Sequence, residues 1–567
     1  MAELIGQILL HTTSLTEGQL ADALADQQAQ QPRQRIGQIL IGTGAVAAED
    51  LSRALAKQWG LPYAEQIPQQ WLDKQAVTTL PLEFLKKHCV IPLVNNDSEP
   101  VTVAVGDPLD VRGFDAVANT LGKRCTRMVC TPAVIDAALS RCYYQDGDSA
   151  ATILEDLTED DGLAQAATGQ HAEDLLDVAN RAPIVKLVNT IFFQAVDCRA
   201  SDIHVEPYEH AVRVRFRIDG VLHNRFTPPR QYVAALISRL KVMANLNIAE
   251  RRLPQDGRSR IKIGDKEIDI RVSTIPTSGG ERVVLRLLDK TSARLGLHDL
   301  GLPPETEALF RTFIRMPHGI VLLTGPTGSG KTTTLYGALS EINKEDKNIL
   351  TVEDPIEYQL PGVGQMQIRQ KIGLTFANCL RHVLRQDPNV IMVGEIRDHE
   401  TAEIAIQAAL TGHLVFSTLH TNDAPTAVTR LLDMGIEPYL IASSVAGIMA
   451  QRLVRVICPK CKEQFAPDAE TLSVFEHLPS PPERLFRGTG CTHCIETGYL
   501  GRTGIFELLA VDDQIRDLIM KQTGSSPIKQ AAIRNGMRTL RDDGLRKILA
   551  GETTVEEVLR VTQDDAI

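Results

Sequence analysis

Short apolar runs alternate with helical patterns through the second half of the chain, and each run ends in polar or charged residues. The four runs cover residues 320–324, 349–353, 390–395 and 414–418. Nearly continuous apolar strands separated by helices are typical of a parallel sheet that is covered on both faces. Ligands of such sheets bind at the carboxyl ends of the strands. The pattern therefore predicts an α/β domain over residues 299–567 with a functional site at those strand ends.

The first 60 residues contain one pattern twice. The pentapeptide Ile-Gly-Gln-Ile-Leu begins at Ile5 and again at Ile36, an offset of 31 residues that later apolar positions also follow. Each copy predicts a short helix, a turn and an amphipathic helix. Residues 88–144 then alternate β-like and helical runs, which predicts a small α/β unit. Together these parts form a predicted N-terminal domain, residues 1–144.

Alternating strands predict a middle α/β domain over residues 178–298. Residues 212–218 place apolar side chains on one face and arginines on the other, and residues 268–272 repeat this alternation. The arginines are Arg213, Arg215, Arg217, Arg271 and Arg282. Such a face either contacts the phosphates of a neighbouring subunit's ligand or is an ordinary solvated surface.

Charge divides the chain further, because its acidity is concentrated in one segment. The chain has 567 residues, 71 acidic and 60 basic, and a formal net charge of −11. Residues 145–177 hold ten acids and no Lys or Arg, so the remainder is nearly balanced, with 61 acids and 60 bases. We expect this segment to be a solvated, self-repelling linker. The overall excess of acid disfavours a protein that coats nucleic acid.

Composition and hydropathy indicate a soluble, multidomain protein. Apolar residues make up 43% of the chain, which is enough for several domains to bury a core each. The start has Glu3 and no basic residue before its apolar run, and no stretch reaches the roughly 18 to 20 apolar residues that span a bilayer. A cytoplasmic protein that reaches a membrane through partners is expected.

A phosphate-binding loop follows the first of the four apolar runs. It consists of Gly325, Pro326, Thr327, Gly328, Ser329, Gly330, Lys331, Thr332 and Thr333. A predicted strand precedes the loop and a helical segment follows it, as the motif requires. The glycines let backbone N–H groups turn toward a β-phosphate, Lys331 reaches the β and γ oxygens, and the Thr332 hydroxyl coordinates Mg²⁺. ATP and Mg²⁺ are therefore the expected ligands.

Carboxylates end the next two strands. Glu353 lies just before Pro355, and Glu395 stands where phosphate-loop enzymes carry their Walker B acid. Carboxylates at these places polarise an attacking water or hold Mg²⁺ through water. His420 lies just beyond the fourth strand, within reach of a γ-phosphate, whereas His413 lies at the opposite end of that strand and is interpreted as structural.

Two Cys-x-x-Cys pairs lie near the C-terminus with 29 residues between them. The four residues are Cys458, Cys461, Cys491 and Cys494. In a reducing compartment such pairs favour a metal over disulfides, and four thiolates form a closed, tetrahedral Zn²⁺ site. We predict a structural zinc-binding insertion at about residues 456–500, followed by C-terminal helices over residues 511–567.

Together, these motifs resemble the type II/IV secretion ATPase superfamily, the hexameric motors of type II secretion and type IV pilus assembly. Four signatures occur in the family's order: a Walker A loop at 325–332, an Asp box at 351–357, a Walker B segment at 394–398 and a His box at 410–422. Residues 200–207 and 253–258 look like its middle-domain signatures. The resemblance implies a RecA-like ATPase core, preceded by a PAS-like α/β middle domain and an N-terminal docking domain. The tetracysteine element is typical of the assembly or export branch.

The same resemblance implies roles for individual residues. Glu353 would be the water-polarising base, Glu395 the acid on the Mg²⁺ side, and His420 the contact to the γ-phosphate. In this family, arginines of the middle domain complete the site at a subunit junction. The candidates for that role are Arg217, Arg271 and Arg282.

Partners follow from the resemblance as well. It implies a homohexamer, an inner-membrane platform protein that the motor drives, and a membrane-bound docking partner for the N-terminal domain. Some members bind cyclic di-GMP through two Arg-Leu-Gly-type motifs in that domain. The second copy here fits, with Arg35 and Gly44, but the first has Leu4 and Thr13 at the corresponding places. Docking is therefore favoured over cyclic di-GMP binding.

Three other interpretations stay open on the sequence. A nucleic-acid translocase shares the RecA-like core, although the acidic balance and the 4% aromatic content disfavour it. A nucleotide-gated scaffold would bind ATP without turnover. A motor of the conjugation or DNA-uptake branches would use the same chemistry on another cargo.

Overall fold

The chain forms two compact units. The computed structural model describes residues 4–29, 35–72, 76–77, 80, 82–93, 101–144, 182–209, 211–263, 266–289, 296–476 and 481–562. The predicted acidic linker at 145–177 lies outside the described residues. The first unit comprises Met1–Ile218 and Leu222–Leu288, and the second comprises Asp219–Val221 and Asp289–Ile567. The further division of the first unit into an N-terminal and a middle domain stays a prediction.

Four helices carry the two copies of the N-terminal repeat. They are α1 (Ile5–Thr12), α2 (Glu17–Ala29), α3 (Ile36–Gly42) and α4 (Ala48–Trp59). In each copy a glycine of the first helix lies against a leucine of the second: a Cβ built on Gly6 would be 3.1 Å from Leu20, and one built on Gly37 would be 2.7 Å from Leu51. The 31-residue offset of the sequence therefore recurs in the packing of the side chains.

A small α/β arrangement follows the helices. Its elements are α5 (Leu82–His88), β1 (Val90–Leu93), β2 (Val101–Val105), α6 (Val111–Leu121), β3 (Cys125–Val129) and α7 (Pro132–Tyr144). The sheet order is β1-β2-β3, with β1 antiparallel and β3 parallel to β2. Val90, Val103 and Leu139 are fully buried in its core.

The rest of the first unit is built on a six-stranded sheet. The elements are α8 (Ala182–Asp197), β4 (Asp202–Pro207), β5 (Val212–Ile218), β6 (Val221–Phe226), α9 (Val233–Met243), β7 (Gln255–Ile263), β8 (Lys266–Thr277) and β9 (Gly280–Asp289). The strand order is β6-β5-β4-β9-β8-β7. Along β5, Val212, Val214 and Phe216 are fully buried and alternate with arginines. The predicted two-faced strand is therefore present.

The second unit is built on a seven-stranded sheet. Its elements up to the last parallel strand are α10 (Pro304–Ile314), β10 (Gly319–Thr324), α11 (Lys331–Ile342), β11 (Ile349–Glu353), β12 (Gly364–Gln367), α12 (Phe376–Val383), β13 (Val390–Val393), α13 (His399–Leu410), β14 (Leu414–Leu419), α14 (Ala424–Asp433), α15 (Pro438–Ser444) and β15 (Val445–Ile457). The remaining elements are β16 (Lys462–Phe465), α16 (Ala469–Ser473), β17 (Leu485–Gly488), β18 (Tyr499–Ala510), α17 (Asp513–Met520), α18 (Ser525–Arg534), α19 (Leu540–Leu549) and α20 (Val555–Thr562). The sheet order is β12-β11-β13-β14-β10-β15-β18.

Helices cover both faces of this sheet, as the apolar pattern predicts. On β10, Ile320 and Leu322 pack into one core cluster, and Val321 and Leu323 pack into another on the opposite face. All neighbouring pairs are parallel except β15 and β18, which are antiparallel. The predicted α/β fold with a parallel sheet is confirmed, and two further parallel strands and an antiparallel edge strand extend the four predicted strands.

None of the described helices combines the length and the hydropathy that a transmembrane span needs.

Candidate active site

The phosphate loop connects β10 to α11. Gly330 caps the helix with a φ of +88°, and Gly325 has a φ of +143°. A Cβ on Gly325 would lie 2.4 Å from the Gln451 carbonyl oxygen, and one on Gly330 would lie 2.8 Å from Gln451 Nε2. Both conformation and space therefore require glycine at these two positions. The chain can fold tightly here and turn its N–H groups toward an anion at the start of α11.

Lys331 is held inside the loop. Its side chain is buried, and Nζ donates to the carbonyl oxygens of Gly325 at 2.6 Å and Pro326 at 3.1 Å. Burial lowers the pKa of Lys331 to about 8, and the negative charge of Glu395 opposes that shift. Both carbonyls are weak partners for an ammonium group, so phosphate oxygens would bind it in preference.

The buried hydroxyl of Ser329 indicates whether the loop suits a phosphate. Its hydroxyl is buried, and among the described residues it has no hydrogen-bond partner. A buried polar atom without a partner is costly, and a phosphate oxygen would satisfy it. Thr332 and Thr333 follow on the first turn of α11, and Thr332 is exposed, as a side chain that coordinates Mg²⁺ must be. The residues present therefore fit a nucleoside triphosphate with Mg²⁺.

Glu395 and His420 meet beside the loop. Glu395 follows β13 and His420 follows β14, and these neighbouring strands bring Glu395 Oε2 within 3.1 Å of His420 Nε2. Arg397 donates to Glu395 Oε1 at 2.5 Å. Burial alone would raise the pKa of Glu395, but the hydrogen bonds from Arg397 and His420 outweigh it and leave that pKa lowered. Glu395 is therefore an ionised group in a partly enclosed site.

Glu353 ends β11 and is 3% exposed. Its Oε1 accepts from Thr351 Oγ1 at 2.5 Å and from Gln365 Nε2 at 3.0 Å. Its Oε2 accepts from the Tyr336 hydroxyl. The predicted base is therefore more buried than a free strand-end carboxylate, and it lies inside a network of polar groups that sequence reasoning missed.

Strand β15 adds two residues that no motif indicated. Ala450 pairs with Thr324, so Gln451 and Arg452 continue alongside the phosphate loop. Gln451 Oε1 accepts from Thr334 Oγ1 at 2.8 Å, and Arg452 donates to Asn422 Oδ1 at 3.1 Å. Hydropathy indicates these two residues only weakly, because they are simply the first polar residues after the apolar run 445–450.

His413 lies away from these groups, at the start of β14. Its Nδ1 lies 2.9 Å from the Ala408 carbonyl oxygen and 3.2 Å from Thr411 Oγ1. These are local contacts at the C-terminal end of α13, as expected of a structural histidine.

The predicted arginine candidates lie on the six-stranded sheet of the first unit, and buried acids of β4 pair with two of them. Arg282 lies 2.6 Å from Glu206, and Arg217 lies 3.6 Å from Asp202. Arg271 lines a cavity of about 370 Å³ that Asp202 also lines. Part of the arginine face is therefore ion-paired with buried acids: Arg215 and Arg282 with Glu206, and Arg217 with Asp202.

The four cysteines lie together beyond β15. All four sulfurs are within 4.8 Å of one another, with Cys458 and Cys491 3.9 Å apart and Cys461 and Cys494 3.8 Å apart. Four sulfurs about 2.3 Å from one tetrahedral Zn²⁺ ion would be separated by about 3.8 Å. The N–H groups of Cys491 and Gly498 also donate to Cys494 Sγ at 3.2 and 3.3 Å, and such bonds stabilise a thiolate. The cluster fits a structural zinc site.

Known proteins resemble the chain over most of its length. Residues 177–560 match the family model of the type II/IV secretion system protein, and residues 59–149 match the MshEN domain. The type II secretion system ATPase E of Vibrio cholerae is 47% identical over 494 residues, with 87% of this chain and 98% of that protein aligned. The type IV pilus assembly ATPase PilB of Myxococcus xanthus is 44% identical over an alignment of 571 residues that covers 100% of both. An X-ray structure of the Yersinia pseudotuberculosis ATPase DotB matches this chain with a TM-score of 0.50 and 22% sequence identity. The match covers 67% of this chain and 93% of the DotB chain, and it shows that the two share a fold.

Proposed function

This chain belongs to the type II/IV secretion system protein family, and from that premise we propose that it hydrolyses ATP to power type II secretion or type IV pilus assembly. One observation supports the chemistry most directly. Glu395 and His420 are in contact at adjacent strand ends, and the charge of Glu395 acts on the buried lysine of the phosphate loop. An acid, a cation and a polar group at the carboxyl ends of parallel strands are what phosphoryl transfer requires.

Each group of the site has a proposed task. The loop N–H groups and Lys331 bind the β- and γ-phosphates. Thr332 and Glu395 are the residues that would hold Mg²⁺, and the bound ion would supply positive charge to the phosphate oxygens. Glu353 orients the attacking water and accepts its proton, and His420 contacts the γ-phosphate.

The subunits act together in our proposal. A homohexamer would bring the middle-domain arginines of one subunit to the nucleotide of its neighbour, with Arg217, Arg271 and Arg282 as the candidates. Guanidinium groups stabilise charge on a transferring phosphoryl group well, because their fork matches its oxygens. The hexamer would drive an inner-membrane platform protein.

The N-terminal domain is proposed to dock the motor onto a membrane-bound partner. Cyclic di-GMP is the weaker hypothesis for this domain. Arg35, which gives the second repeat its match to the Arg-Leu-Gly pattern, is paired with Asp107, and the first repeat has Leu4 in the corresponding place. A calorimetric titration with cyclic di-GMP that gives no heat up to high micromolar would support docking alone.

Exchange of Glu395 for glutamine tests the ATPase proposal. Glu395→Gln keeps the size of the side chain and removes its charge, so the purified protein should bind ATP while turnover with Mg²⁺ falls about 10²-fold or more, since charge stabilisation by a bound metal is worth several kcal/mol. Glu403→Gln is the matched control, because Glu403 is an exposed acid on α13. Unchanged turnover in Glu395→Gln would remove its assignment. Full biological activity in both Lys331→Ala and Glu395→Gln proteins would instead favour the nucleotide-gated scaffold.

A further inference from the structure

Glu353 is held by donors from three different elements. Thr351 precedes it on β11, Gln365 lies on the adjacent strand β12, and Tyr336 lies on α11, the helix that begins at the phosphate loop. Gln365 is itself oriented, because its Oε1 accepts from the Leu360 N–H at 2.7 Å. Its Nε2 therefore points at Glu353.

The direction of the Tyr336 proton follows from its neighbours. The hydroxyl oxygen accepts from the Glu357 N–H at 3.4 Å and lies 3.3 Å from Gln365 Nε2, whose two protons point to the nearer oxygens of Glu353 and Tyr358. A tyrosine hydroxyl has one proton to donate, and the remaining contact of this hydroxyl is Glu353 Oε2. Burial raises the pKa of Tyr336, and the hydrogen bond to Glu353 raises it further, so the proton stays on the phenol.

The Glu353 carboxylate has more acceptor sites than its three donors occupy. An ionised carboxylate has about four lone-pair sites, two on each oxygen. Thr351 and Gln365 use Oε1, and Tyr336 uses one site on Oε2. Within the described part of the chain no second donor reaches Oε2, so one of its sites remains for a water.

We propose that Tyr336 is a positioning residue, which holds the Glu353 carboxylate so that the remaining lone pair of Oε2 faces the attacking water. This inference rests on the proposed role of Glu353 as the base. It also joins two parts of the reaction, because the helix that presents Lys331 to the phosphates also orients the group that activates water. A base fixed in this way reacts without first being reoriented.

Tyr358 provides a matched control. Its ring packs edge-on against that of Tyr336, with the ring centres 4.6 Å apart. Tyr358→Phe therefore removes one hydroxyl from the same aromatic pair. It leaves the hydrogen bond to Glu353 intact, because Tyr336 makes that bond.

The experiment measures ATP turnover of the full chain with Mg²⁺ for Tyr336→Phe, Tyr358→Phe, Glu353→Gln and the double variant Tyr336→Phe/Glu353→Gln. We expect kcat of Tyr336→Phe to fall about tenfold or more, with KM for ATP within about twofold of wild type, and Tyr358→Phe to match wild type. In the Glu353→Gln background, Tyr336→Phe should cause no further loss, because both changes act through one group. Thermal unfolding of each variant detects a loss of fold.

Several results would overturn the inference. One is a wild-type kcat for Tyr336→Phe, and another is an effect on KM alone. A third is a fall in kcat from Tyr336→Phe that is as large in the Glu353→Gln background as in the wild-type background. That result would mean that the tyrosine acts only through the fold. Unchanged turnover in Glu353→Gln would reject the base itself, while a wild-type protein without ATPase activity would reject the proposed function.

Discussion

At the scale of single residues, the charge of the phosphate loop depends on pH. Lys331 is 8% exposed, and burial brings its pKa to about 8. A lysine with this pKa is partly neutral in mildly alkaline solution, although phosphate binding needs its charge. Phosphate oxygens beside the ammonium group favour the charged form and raise its pKa. ATP binding and protonation of Lys331 are therefore linked.

Proton uptake on ATP binding is the expected consequence. Above about pH 8 part of Lys331 is neutral in the free protein and charged in the complex, so ATP binding should take up a fraction of a proton, and this fraction should grow as the pH rises from 7 to 8.5. Titration calorimetry in buffers of different ionisation enthalpy measures this number. Lys331→Arg is the control, because arginine stays charged and should take up none. Equal uptake by both proteins would contradict the linkage.

Residues that form a contiguous motif could be predicted from sequence, and those brought in by strand pairing could not. The loop from Gly325 to Thr333 has a fixed spacing, since one turn of backbone must wrap around a phosphate. Gln365 and Gln451 reach the site only through the pairing of β11 with β12 and of β10 with β15, and Tyr336 meets Glu353 only where α11 contacts the end of β11. No local pattern specifies those contacts.

At the scale of secondary-structure elements, the last helix is joined to the central sheet by a buried ion pair. Glu557 on α20 is 1% exposed and accepts from Arg455 on β15 at 2.5 Å and from Arg560 at 2.9 Å. Burial alone would raise the pKa of Glu557, but the two arginines lower it to about 2. The ionised form is thus strongly favoured in the folded protein.

Removal of this charge should destabilise the second unit. Glu557→Gln leaves Arg455 without its partner, and we expect a loss of about 3 to 5 kcal/mol in the free energy of unfolding, measured by urea denaturation. Glu556→Gln, at the exposed neighbouring position, should change it by less than about 0.5 kcal/mol. Because the folded pKa lies below the unfolded one, the stabilisation is present above about pH 4.5 and is lost as the pH falls toward 2. A difference between wild type and Glu557→Gln that stays constant down to pH 2 would contradict the assignment.

Metal should stabilise the cysteine cluster. Metal analysis of the purified chain is expected to find about one Zn²⁺ per chain, and Cys491→Ser should lose it and unfold at a lower temperature. Cys198→Ser is the control, because Cys198 lies on the first unit, outside the cluster. A zinc-free protein that remains stably folded would refute the metal site.

Strands could be predicted from the sequence where their burial requires a regular pattern of apolar residues. Strand β5 was recognisable because one face is apolar throughout, and β10 because both faces are buried. Strand β12 was not, because it is an edge strand of four residues, Gly364–Gln367, with a single apolar side chain. Edge strands need little apolar surface, so hydropathy does not reveal them.

At the scale of the whole molecule, the proposed active site is shared between subunits. A ring of identical subunits repeats one heterologous interface, so every nucleotide would take its acids from one chain and its arginine from the next. Sequence reasoning reached this arrangement through resemblance alone, since no pattern within one chain specifies what a second copy places beside it. The type of fold could be predicted, whereas the arrangement of units in an assembly could not.

Mixing inactive variants tests this shared site. Glu395→Gln and Arg271→Ala proteins should each turn over ATP poorly. In random mixed hexamers about a quarter of the junctions would pair an intact Glu395 with an intact Arg271, so the mixture should recover about that fraction of activity. Glu395→Gln mixed with Lys331→Ala is the control, because both defects lie in the same half of the site. A mixture no more active than its components would contradict an action of Arg271 across the junction.

Strand β15 connects the phosphate loop to the cysteine cluster, and this connection predicts which mutations a genetic screen would find together. One continuous strand, Val445–Ile457, carries Gln451 beside the phosphate loop and leads directly into Cys458, the first residue of the cysteine cluster. Seven residues of extended chain, about 23 Å, separate the two. A screen for alleles that abolish transport would therefore recover cysteine substitutions together with phosphate-loop substitutions, and the two classes would share a phenotype without sharing a chemical role.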